Sequence, residues 1–164
     1  MKNRNLTLLT DYYELTMMYG YFKKQMTKTR SVFDLFFRAN SESNYCIAAG
    51  LEQAVQYIEN LRFEKEQLDY LRSTKDFDED FLAYLENFRF SGDIYALEEG
   101  TVVFPGEPLM IVKAPIIEAQ LMESALLNIV NFQTLIATKA SRVAYVAQPV
   151  SYTHLRAHET SLHL

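Results

Sequence analysis

The sequence predicts an α+β domain, and three observations carry that expectation. Amphipathic helical periods and short β-branched or aromatic runs both occur. They follow the order helix, strand, helices, strands, helices instead of strict βα alternation. The length of 164 residues allows one domain, or one domain and part of another. Hydrophobic residues make up 49%, charged residues 23%, and the net charge is −5, which suits a globular chain and argues against disorder.

The elements can be justified in order. Thr10-Asp11 offers an N-cap for a helix over residues 12–22, where Leu15, Met18, Tyr19 and Phe22 recur at three- and four-residue steps. Residues 32–38 alternate Phe33, Leu35 and Phe37 and read as a strand. Residues 39–49 read as a polar loop running into Ala48-Ala49-Gly50. Leu51, Ala54, Val55 and Ile58 then define a helix to about Leu61. Residues 64–71 and 78–88 predict two short helices, the second opened by Asp78-Glu79-Asp80, which complement a helix N-terminus.

After Gly92 the pattern turns to short strands over 93–97, 101–104 and 109–112, broken by Glu99-Gly100 and Pro105-Gly106. The Pro105–Pro108 turn is expected to join two of them as a hairpin, and Pro115 to close the block. Residues 116–147 predict long helix, apolar round much of its circumference and so buried, with a break near Asn131–Thr134. The expected organisation is an N-terminal α+β domain over 1–116, helices over 117–149, and a separate tail over 150–164. By themselves, residues 1–149 are expected to expose an apolar patch on the 116–147 helices, and burial of Leu121, Leu126, Ile129 and Ile136 together would count against it.

Composition excludes several classes. No uninterrupted apolar run approaches the length of a membrane span. Asp11 and Glu14 interrupt the place where a secretion signal needs apolar residues, so a cytoplasmic location is expected. A single cysteine, Cys46, allows neither an internal disulfide nor a Cys-based zinc site. Mild acidity argues against nucleic acid as the main partner.

All three histidines, His154, His158 and His163, fall in the last eleven residues. Val150–Thr160 back-translates, over eleven codons, into the transposase adaptor of short-read sequencing libraries. Val150–Leu164 is therefore expected to be translated adaptor with no packed role. Residues 1–149 then contain no histidine, and the natural protein is expected to continue beyond the part shown.

From the residues alone the chemical inventory is thin. There is no Gly-rich dinucleotide or phosphate loop. Cys46 has no histidine partner and reads as a small, semi-buried thiol. Glu98-Glu99, Asp78-Glu79-Asp80 and Glu107 read as turn or helix-start charges.

A resemblance adds to this. Leu8–Met17 with Gly20-Tyr21, Phe33–Arg38, Ala48–Leu51, Glu99–Leu109 and Glu123–Arg142 resemble, in that order, the N-terminal part of nicotinate phosphoribosyltransferases. The resemblance implies an N-terminal α+β domain followed by an α/β barrel, of which this chain holds no more than the start. It implies transfer of a phosphoribosyl group from 5-phosphoribosyl-1-pyrophosphate to nicotinate, giving nicotinate mononucleotide and pyrophosphate in NAD salvage. It further implies Mg²⁺ with the pyrophosphate, ATP hydrolysis through a phosphorylated histidine in the barrel, and a head-to-tail homodimer.

Tyr13, Asp11 and Arg38 are the candidate substrate-binding residues. Tyr13 matches the pyridine-contacting tyrosine of the family, and an aromatic face suits a flat, electron-poor ring. Read without the resemblance, Tyr13 is one of several helix aromatics with Tyr12, Tyr19, Tyr21 and Phe22. Asp11 either orients the site or caps the helix. Arg38 resembles a phosphate-contacting arginine of the related nicotinamide enzymes, and its guanidinium fork suits phosphate oxygens. Lys139 and Arg142 could face phosphates or complement a helix C-terminus. No catalytic residue and no metal ligand is assigned in this segment, so the chain as encoded is expected not to turn over nicotinate. Two other readings stand beside this one. They are a sister enzyme acting on nicotinamide or quinolinate, and a non-enzymatic interaction module built on residues 93–113.

Overall fold

The computed structural model describes residues 5–37 and 44–147. The described part folds as α1 (Tyr12–Lys23), β1 (Arg30–Phe36), β2 (Cys46–Ile47), α2 (Leu51–Glu59), α3 (Lys65–Thr74), α4 (Glu79–Glu86), β3 (Asp93–Ala96), β4 (Val102–Val103), β5 (Pro108–Pro115), α5 (Ile116–Leu121) and α6 (Glu123–Ala147). Mixed helix and sheet in this order is the α+β class. The expectation for Val150–Leu164 lies outside the described residues, as does Arg38.

An antiparallel sheet of order β1-β5-β3 forms one layer. Phe33 lies opposite Val112, and Leu35 opposite Met110, before the register shifts at Phe36. Leu35, Met110, Val112 and Ala114 point inward and are buried. Against this face lies α5, whose Ile117, Ala119 and Leu121 are buried and which also packs on α1. The same core extends between α1 and the α3–α4 pair. Phe81, fully buried, is ringed by Tyr19, Phe22, Phe77 and Tyr84 at centroid distances of 5.2 to 6.3 Å. Offset and tilted rings at this spacing are favourable beyond the area they bury.

Helix starts follow local chemistry. Asp78 accepts the Phe81 N–H at 3.0 Å as the N-cap of α4. Glu64 and Gln67 form a reciprocal capping box on α3. α2 is capped from another element: the Glu99 carboxylate accepts the amides of Gly50 at 3.0 Å and Glu52 at 3.3 Å. Gly50 has a left-handed φ of 101°, and a Cβ there would stand 3.1 Å from the Ile129 carbonyl oxygen. The small Ala48-Ala49-Gly50 run thus lets the start of α2 lie against the backbone of α6.

The structure corrects three expectations. The helical break falls at Met122, where the amide bonds back three residues to Ala119 at 3.3 Å, and not at Asn131–Thr134. The helix runs on through this stretch, and Thr134, with Thr138 one turn further, docks the Ile47–Ala49 segment. Thr134 Oγ bonds both the amide and the carbonyl of Ala49, and Thr138 Oγ accepts the Ile47 amide at 2.9 Å. Second, β4 and β5 do not form a hairpin. β4 pairs with β2, while β5 takes β1 and β3. Third, Cys46–Ile47, read as loop, is a short strand, because Val102 and Val103 supply its ladder. The expected apolar patch on the last helices is present: Leu121, Leu126 and Ile129 are buried, but Ile136 is half exposed. The patch runs along α6 at Phe132, Leu135, Ile136 and Val143.

Candidate functional site

Helix α1 divides its side chains between two neighbours. Leu15, Met18, Tyr19 and Phe22 face the core. Tyr12 donates to Asp76, Tyr19 donates to Asp78 at 3.0 Å, and Lys23 pairs with Asp78 at 2.8 Å, fixing the helix on the α3–α4 unit. Tyr13, one residue on from Tyr12, turns away from these aromatics toward the α5–α6 corner. Its ring is 47% exposed and its hydroxyl donates to Glu123 Oε1 at 3.1 Å.

The next residue on each helix makes a second link. Glu14 is fully buried, and its Oε1 accepts both the amide of Ser124 at 3.1 Å and its hydroxyl at 2.8 Å. Thr10 Oγ donates to its other oxygen. Glu14 therefore supplies, from α1, the capping acceptor for the first amides of α6. Burial raises the Glu14 carboxyl above the usual range, with the Thr10 and Ser124 bonds partly offsetting the rise.

Beside this junction runs an apolar groove of about 260 Å³. Phe33–Phe36 of β1, Val112 of β5, Ala119 of α5, and Glu123, Leu126 and Leu127 of α6 line it. Glu123 thus touches both the Tyr13 phenol and the groove. Its second oxygen accepts Gln120 Nε2 at 2.9 Å, and Gln120 is itself buried. Loss of hydration and the Glu123 bond push the Tyr13 phenol up to about 12.

The other sequence candidates fall as follows. Asp11 occupies the N-cap position of α1, yet its carboxylate makes no capping bond among the described residues, while its amide donates to Ser124 Oγ at 3.3 Å. Asp11 and Tyr13 therefore share one end of α1, next to α6. Lys139 is exposed, and the Arg142 guanidinium lies 5.4 Å from the centroid of the Tyr45 ring. Cys46 is buried, and burial pushes its thiol up, away from nucleophile behaviour. Glu107 accepts the Phe104 amide at 3.0 Å within the turn. Sequence reasoning missed Glu14, Gln120, Glu123 and Ser124 as members of this site. One signal was present for Glu14: it stands one turn before Met18, so an acid sits on an otherwise apolar stripe.

The site is thus an apolar groove flanked by a tethered tyrosine and a carboxylate, on an α+β scaffold with a β1-β5-β3 sheet. The fold aligns with human nicotinic acid phosphoribosyltransferase at a TM-score of 0.80 and 33% identity, covering 87% of this chain and 29% of that one. It also aligns with nicotinate-nucleotide pyrophosphorylase from Pyrococcus furiosus at a TM-score of 0.64 and 17% identity, a likeness of fold alone, over 90% of this chain and 31% of that one. The model of the nicotinate phosphoribosyltransferase N-terminal domain matches residues 8–131, and the chain belongs to that family. Nicotinate phosphoribosyltransferase of Bacillus subtilis (strain 168) is 44% identical over 143 residues, 87% of this chain and 29% of the relative. Nicotinate phosphoribosyltransferase pncB2 of Mycobacterium tuberculosis (strain ATCC 25618 / H37Rv) is 43% identical over 157 residues, 93% of this chain and 34% of the relative. The chain thus spans about a third or less of the length of these relatives.

Proposed function

We propose that this chain is the N-terminal part of an enzyme that forms nicotinate mononucleotide and pyrophosphate from nicotinate and 5-phosphoribosyl-1-pyrophosphate, in NAD salvage. The observation that carries the reading is the family match over residues 8–131. In this proposal Tyr13 stacks on the pyridine ring, Asp11 orients that end of α1, and Arg38 contacts phosphate. An exposed ring, tethered at its hydroxyl and open at its face, suits stacking on a flat substrate.

Among the described residues no group of three or more His, Cys, Asp or Glu side chains is placed to hold a metal ion. The proposal assigns Mg²⁺ and ATP to the remainder of a family-length protein, along with the phosphorylated histidine. Head-to-tail homodimers and a cytoplasmic location belong to the same reading. No helix among the described residues is long and apolar enough to cross a membrane.

The test is a product assay on the family-length protein that carries this segment. Nicotinate, 5-phosphoribosyl-1-pyrophosphate, ATP and Mg²⁺ are expected to yield nicotinate mononucleotide. Turnover of nicotinamide or quinolinate in place of nicotinate would move the protein to a sister activity.

A further inference from the structure

We propose that Glu123 is a positioning residue for the pyridine substrate, acting through Tyr13. The inference rests on the reading of Tyr13 as the stacking residue.

Both oxygens of Glu123 are engaged by side chains. One accepts the Tyr13 hydroxyl at 3.1 Å and the other accepts Gln120 Nε2 at 2.9 Å. An acid in the first turn of a helix is ordinarily explained by the helix dipole. Here that role is filled from outside, because Glu14 of α1 already accepts the Ser124 amide. Glu123 is therefore free to point across to α1. The arrangement runs outward from rigid to mobile: Gln120 is buried, Glu123 half-buried, and the Tyr13 ring half exposed. An exposed tyrosine otherwise samples several rotamers, and ordering it costs binding energy. A charge-assisted bond from its hydroxyl to a carboxylate held from behind selects one ring plane before substrate arrives. The same carboxylate lines the groove, so an anionic substituent on the pyridine is steered away from the phenol edge by like-charge repulsion.

The experiment is steady-state kinetics on the family-length protein, with Tyr13→Phe, Tyr13→Ala, Glu123→Ala, Glu123→Gln and the Tyr13→Phe/Glu123→Ala pair. Glu123→Ala and Tyr13→Phe are each expected to raise KM for nicotinate about three- to tenfold, the span a net hydrogen bond supplies. Neither is expected to change kcat or KM for 5-phosphoribosyl-1-pyrophosphate. Glu123→Gln keeps a carbonyl acceptor at the same reach and is expected to recover most of the affinity. The pair is expected to be no worse than either single change, since both break one contact. An unchanged KM in Glu123→Ala, a loss confined to kcat, or additivity in the pair would overturn the assignment. A raised KM in Tyr13→Ala with none in Glu123→Ala sinks Glu123 alone. An unchanged KM in Tyr13→Ala sinks the stacking reading, and this inference with it.

Discussion

Glu14 and Ser124 lie 110 residues apart in the chain and are joined twice, through the Ser124 amide at 3.1 Å and its hydroxyl at 2.8 Å. The pair closes α1 onto the start of α6 and so fixes the ledge on which Tyr13 and Glu123 meet. Glu14→Ala would leave that amide and hydroxyl without their buried acceptor. A loss of about 1–3 kcal/mol is expected, read as a lower urea midpoint for the 164-residue chain. An unchanged midpoint would mean that the junction contributes nothing to the fold.

Stability should also depend on pH, in opposite senses for two carboxyls. Glu14 is raised in the fold, chiefly by burial, so the folded state holds its proton more tightly than the unfolded state does. Its contribution is fully present below the unfolded glutamate value of about 4.3 and is lost as pH rises through the raised folded value. Asp78 is lowered, first by its bond from Lys23 and then by the Phe81 amide. Its contribution is present above the unfolded aspartate value of about 3.9 and is lost as pH falls through the folded one. Denaturation curves across the acid range should therefore show Glu14→Gln flattening the decline with rising pH. Asp78→Asn should remove part of the loss on acidification.

Gly92 begins the chain's return into the sheet, immediately before β3. A Cβ there would stand 2.6 Å from the Lys113 carbonyl oxygen and press on the Ala114 methyl, both in the central strand. Gly92→Ala must shift backbone, not a flexible side chain, and is expected to cost about 1–3 kcal/mol. Thermal melting of the two chains checks this, and equal midpoints would show that the strand can give way.

How much of this is legible in the sequence depends on whether the cause is local. The start of α4 is readable because Asp78 caps its own helix, and α1 because Leu15, Met18 and Phe22 keep one period. The pairing of β4 with β2 is hidden, since nothing near Val102 says that its partner is Ile47. The Asn131–Thr134 stretch looks like a helix break because polar side chains compete with helical bonds, yet Thr134 and, one turn on, Thr138 lie within α6. They serve instead to hold the strand edge at Ala49 and Ile47. Tyr13 stands out only through a family resemblance, whereas its tether to Glu123 joins residues 110 positions apart and has no local signature.

Tyr13→Ala in the family-length protein is expected to raise KM for nicotinate up to about tenfold, the scale of an aromatic stacking contact. The phosphate chemistry is left in place, so kcat should change little. Initial rates over a range of nicotinate concentrations decide it. An unchanged KM would return Tyr13 to a structural role on the surface of α1.

The antiparallel match of Phe33 with Val112 sets a timetable for synthesis, since the partner of β1 lies 79 positions downstream. At 5–20 residues per second, the nascent chain waits roughly 4–16 s between making one strand and the other. Throughout that interval Phe33, Leu35 and Phe37 travel as an unpaired aromatic strand, a segment prone to joining its like on a neighbouring polysome. The helices α2 to α4 emerge meanwhile and can fold on their own local contacts. A slow ribosome or a dense transcript would be felt first at β1, well before any completed domain existed to be destabilised.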